Sequence, residues 1–122
     1  MIPSTDSLRG YVELPYTLPQ DHTLFIFLKE STTDIWKKKL DWIVEKGGLA
    51  LFISHPDYMA MKGARTGAKE YSMNRYIEFL EYVTTAYKGQ YWHALPKDLA
   101  RFWMERSALK IIAASSATNK AE

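Results

Sequence analysis

The chain has 122 residues, 47% hydrophobic and 25% charged, with a formal net charge of +2 and no cysteine. That length supports at most one modest domain. The even charge balance excludes the basic stripe that phosphate-driven nucleic-acid binding needs, and the lack of cysteine excludes disulfides and thiolate metal sites. The start, Met1 to Asp6, lacks the basic and apolar segments of a signal peptide, and no apolar run approaches the roughly 20 residues of a membrane-spanning helix. The reading is a cytoplasmic protein with no nucleic-acid or membrane partner.

From Tyr11 the chain alternates like a short strand and is then interrupted at Pro15 and Pro19. Proline cannot donate to a sheet ladder, so this piece is expected to run into an ordered loop that presents Asp21 and His22. The apolar run Thr23 to Leu28 is too short for periodicity to separate strand from helix. Ser31-Thr32-Thr33-Asp34 then supplies hydroxyls and an acid for a helix N-terminus. Behind it Trp36, Leu40, Ile43 and Val44 recur at helical spacing, flanked by Ile35 and Trp42, with Lys37, Lys38 and Glu45 opposite. Gly47-Gly48 ends that helix.

Leu49 to Ile53 shows no polar alternation, which predicts a strand covered on both faces, as in a parallel sheet flanked by helices. At its carboxyl end, where such sheets place their ligands, come Ser54, His55 and Asp57. A loop over residues 61–67 leads to a helix expected from about Lys69 to Lys88, with Met73, Tyr76, Ile77, Leu80, Val83 and Tyr87 on one stripe and Gly89 closing it. After a brief extended piece at residues 90–95, Pro96 suits the first position of a last helix that buries Leu99, Phe102, Trp103 and Ile111. The domain is placed at residues 1–112, with a flexible tail at 113–122.

His55 carries the most weight, because an imidazole suits proton transfer near neutral pH. Against that stands a histidine that only closes a strand end on a backbone carbonyl. Asp57, two residues on, either orients the imidazole or caps the next turn. Ser54 lacks the G-x-S-x-G elbow of an exposed nucleophile. Asp21 and His22 either face a site or close an Asx turn. Trp92, beside His93, offers a ring on which a sugar can stack. The histidines at 22, 55 and 93 have no metal-ligand spacing, so no metal ligand is assigned to this chain.

Several blocks resemble a known family. Glu13 to Phe25, Trp36 to Trp42, Gly47 to Leu51, His55-Pro56-Asp57-Tyr58 and Tyr91 to Pro96 are similar, in order, to the C-terminal portion of the NodB-homology polysaccharide deacetylases (carbohydrate esterase family 4-like), in a branch found with bacterial surface-polysaccharide genes. The resemblance implies an α/β fold, a partial (β/α) barrel of the polysaccharide deacetylase type, with few parallel strands flanked by three main helices. It further implies metal-dependent hydrolysis of N-acetyl groups on sugars. Ile53-Ser54-His55 matches the family's hydrophobic-x-His element, whose histidine protonates the leaving amine. The family's paired-aspartate and His-x-x-x-His motifs have no counterpart here. The expectation is therefore a deacetylase-like fragment, inactive alone, with no cofactor of its own. The complete family domain takes a divalent, zinc-like metal. Expected partners are an N-acetylated sugar and either an N-terminal half or a second copy of the chain. The alternative is a non-catalytic carbohydrate-binding or protein-interaction module using Trp92, Tyr58 and the Asp21-His22 turn.

Overall fold

The computed structural model describes residues 10–61 and 63–119, with side-chain surroundings as far as Leu109, so the expected burial of Ile111 lies outside the described residues. The chain divides into two compact units, one of residues 1–14 with 92–122 and one of residues 15–91.

The second unit holds every buried residue of the core cluster. Its first helix, α1 (Asp34–Lys46), forms where the sequence placed it. Trp36, Leu40 and Ile43 are buried at i, i+4 and i+7, while Val44 turns outward. At its N-terminus a hydroxyl takes a free backbone N–H, as expected. The Thr32 hydroxyl accepts the Asp34 N–H at 3.3 Å, and Thr33 donates across to Glu78 at 2.9 Å. Gly47, at φ +70°, ends the helix in a conformation that a Cβ would oppose.

A second helix, α2 (Met73–Ala86), is capped by the Ser72 hydroxyl and buries Phe79. It starts four residues later than the expected Lys69 because Tyr71-Ser72 is extended. That dipeptide, β2, pairs in parallel with Met59-Ala60, β1, with Met59 opposite Tyr71. Polar contacts fix the register of the two helices. Lys37 meets Glu78 at 2.8 Å, and Asp41 accepts from the Tyr82 hydroxyl at 2.6 Å. Both pairs advance together, so α1 and α2 run in the same direction, and the chain between them must travel back along their length.

The partial (β/α) barrel is overturned by this arrangement. The described residues are mainly helical, and their only sheet is the two-residue pair β1–β2. Leu49 to Ile53 forms no ladder and is not covered on both faces, since Ala50 and Ile53 are exposed. The physical reason lies in its neighbour. Leu51 offers its carbonyl to the N–H groups of Thr17 and Leu18, and the Asp21 N–H reaches the Ile53 carbonyl at 3.5 Å. Pro19 sits between those donors and has no N–H to give. The Thr17 hydroxyl stands in for a ladder partner, accepting the Leu51 N–H at 3.0 Å and donating to the Leu49 carbonyl at 2.8 Å.

The undecided run after His22 is a short π-helical turn, His22–Phe27. It drives Leu24 and Phe25 into the core beside Trp36. Trp36 is fully buried and packs against Phe25, Phe52 and Phe79 with ring centroids 5.0 to 5.3 Å apart. Its indole N–H donates to the Pro19 carbonyl at 2.7 Å. One side chain thus ties α1 to the loop that carries Asp21.

The other unit contains α3 (Pro96–Asn119), with proline at its first position. Leu99 is half-buried, and Phe102 and Trp103 are exposed, unlike the burial their spacing predicts. Trp92 meets the Phe102 ring edge-on at 5.5 Å.

Candidate functional site

Two prolines and the Trp36 anchor deliver Asp21 to the start of the π-helical turn, where its side chain is completely buried. An ionised carboxylate has about four lone-pair positions, and four donors meet this one. Oδ1 receives the His22 backbone N–H at 2.8 Å and lies 2.7 Å from His55 Nδ1. Oδ2 receives the His55 backbone N–H at 2.6 Å and the Tyr71 hydroxyl at 2.8 Å. Burial alone would raise the pKa of Asp21. The hydrogen bonds from the His55 ring, the His55 backbone, Tyr71 and the His22 backbone outweigh it and hold the group below its ordinary value.

An ionised Asp21 can only accept, so His55 Nδ1 must carry a hydrogen. The tautomer is thereby fixed and Nε2 becomes the nitrogen that exchanges protons. Nε2 takes no hydrogen bond among the described residues, and the His55 side chain is 37% exposed. The Tyr71 phenol donates to the same carboxylate. Burial and that bond raise its pKa, so it remains a neutral donor.

Tyr58 completes the group. The 3₁₀ turn Pro56–Tyr58 carries its N–H back to the His55 carbonyl at 3.0 Å. Its ring lies 5.2 Å from the imidazole of His55 and 5.2 Å from that of His22. The structure therefore brings Asp21, His22 and His55 together from two segments 34 residues apart. Asp57 is exposed on the same 3₁₀ turn and makes no hydrogen bond to the imidazole among the described residues. Asp21 is the carboxylate that orients His55. Trp92 belongs to the other unit, where it contacts Phe102.

Tyr71 is the member of the group that carries least signal in the sequence. Its one signal is the aromatic residue immediately before the Ser72 cap, which fixes where the side chain enters but says nothing of its partner.

Among the described residues no three His, Asp or Glu side chains gather closely enough to hold a metal ion. No described helix is long and apolar enough to cross a membrane. Comparison with known proteins gives no family model, no curated relative and no solved structure that matches the chain.

Proposed function

We propose that this chain contributes the proton-donating imidazole of an N-deacetylase acting on acetylated sugars, with His55 as general acid and Asp21 as its positioning residue. The observation that carries the reading is the 2.7 Å contact between a fully buried carboxylate and Nδ1 of a partly exposed histidine. Asp21 fixes the ring orientation. When the tetrahedral adduct of water and the amide collapses, the C–N electron pair moves to nitrogen and the Nε2–H of the doubly protonated ring supplies its proton. The products are acetate and a free amine, and His55 is left neutral with its Nδ1–H still donating to Asp21. General acid catalysis of this kind contributes about 10² to 10⁴ in rate.

Activation of the water is left to groups outside this set, so the chain is proposed to be inactive alone and to work with a metal-binding segment or partner polypeptide. The setting proposed is cytoplasmic. Mixing the chain with a polypeptide that bears a paired-aspartate and a His-x-x-x-His motif, plus divalent metal, is expected to release acetate from N-acetylglucosamine oligomers. His55→Ala is expected to lower that rate by about 10²-fold or more. Rescue that is indifferent to His55→Ala, or no rescue by any such partner, contradicts the proposal.

A second reading keeps the same residues as a non-catalytic carbohydrate-binding module. It is supported by the half-buried Tyr58 ring set between two imidazoles.

A further inference from the structure

Away from the Asp21–His55 pair, and sharing no residue with it, a cleft of about 330 Å³ opens beside the end of α1. It is lined by Thr17, Lys39, Trp42, Ile43, Lys46 and the Gly47–Leu49 stretch. That volume falls at the low end of the roughly 300–1,000 Å³ range of small-molecule sites. Lys39, Trp42, Ile43 and Lys46 stand at i, i+3, i+4 and i+7, hence on one face of the helix. Seven residues of helix separate the two lysine backbones by about 10 Å, with the indole between them.

Trp42 and the two lysines of this row are accessible to a ligand, whereas Ile43 is buried. The Trp42 ring is 51% exposed although it lines the cleft. The Lys39 ammonium sits 4.3 Å above that ring and meets no carboxylate among the described residues. Among the described residues Lys46 is held only by its sequence neighbour Glu45 at 3.1 Å, and both side chains are more than half exposed. Exposed pairs of this kind are weak, so a ligand carboxylate can replace Glu45 at little cost. The Thr17 hydroxyl is already committed to Leu49 and Leu51 and acts as a fixed wall. The negative end of the α1 dipole opposes an anion here. Attraction must therefore come from the two ammoniums, and a purely ionic ligand without a face for the indole would gain little.

We propose that this cleft binds a short acidic saccharide whose carboxylates engage Lys46 and draw the Lys39 ammonium off the indole, which leaves the Trp42 face to a sugar ring. The inference does not rest on the deacetylase reading, because binding needs neither His55 nor turnover. It is tested by calorimetric titration of the full chain with a disaccharide of two uronic-acid units and, separately, with neutral cellobiose. The acidic disaccharide is expected to bind saturably, about tenfold or more tighter than cellobiose, and to weaken as salt screens the ammoniums. Trp42→Ala and the pair Lys39→Gln with Lys46→Gln are each expected to reduce binding about tenfold or more. His55→Ala is expected to bind as the native chain does. All of these side chains are at least partly exposed, and unchanged thermal unfolding verifies that each variant is folded. Absent binding, equal binding of cellobiose, indifference to both the Trp42 and the lysine variants, or loss with His55→Ala would each overturn the inference.

Discussion

Four donors converge on the Asp21 carboxylate, which makes that side chain a structural joint as much as a chemical one. Taking a carboxylate out of water is costly, and charge-assisted hydrogen bonds must repay it. Replacing Asp21 by Asn keeps the shape but turns an amide NH₂ toward donors it cannot satisfy. Asp21→Asn is expected to cost about 1–3 kcal/mol at pH 7. The pH dependence has a definite sign. Because the folded-state pKa of Asp21 lies below its unfolded value, its contribution is complete well above the ordinary carboxylate range and disappears as pH falls through the folded pKa. Urea unfolding of native and Asp21→Asn chains should therefore differ by a constant amount above pH about 5 and begin to converge only as pH falls below the ordinary carboxylate value of about 3.9. A gap that stays constant into acid would mean that the carboxylate is not ionised in the fold. The nearest acid in sequence, Asp57, suggested itself as the orienting group, but side chains pair through space. Only the rigid loop implied by Pro15 and Pro19 marked Asp21 in the sequence.

At the scale of elements, Trp36 joins α1 to the loop and to the aromatic cluster. Trp36→Ala is expected to destabilise the chain by about 3–5 kcal/mol through lost packing and the cavity it leaves. Trp36→Phe should cost less but still lose the indole bond to the Pro19 carbonyl, worth about 1 kcal/mol. Denaturant unfolding with an unchanged m-value would verify both. A near-neutral Trp36→Ala would contradict the packing described here. Helix α1 was legible because its periodicity, acid first turn and terminal glycines agree with one another. The Leu49–Ile53 run was misread because an uninterrupted apolar segment reports burial poorly. A strand also needs a partner with N–H groups to share, and the facing segment carries prolines. The π-helical turn was not legible, since a short, mostly apolar run suits several conformations and tertiary contacts select among them. In α2 the stripe was read slightly rotated. Phe79 is the fully buried residue, and Ile77 and Leu80 lie partly in solvent.

Across the whole molecule, the aromatic core, the two parallel-running helices and the carboxylate–imidazole pair all lie within residues 15–91. Glu78 draws Thr33, Lys37 and Arg75 toward the start of α1. Hydrogen bonding to Lys37 and Thr33 holds its carboxyl below the ordinary range. Asp41 gathers Tyr82 and Tyr87 further along. This paired clamp holds α1 against α2, and Trp36 and Phe25 carry that rigidity to the loop under His55. Asp21 can therefore set the imidazole in one orientation with Nε2 as its exchangeable face. The most direct test is nitrogen-detected NMR of the His55 ring at a pH where it is neutral. The structure predicts a protonated Nδ1 and an unprotonated Nε2, with that preference lost in Asp21→Asn; a ring that carries its hydrogen on Nε2 in the native chain would contradict it.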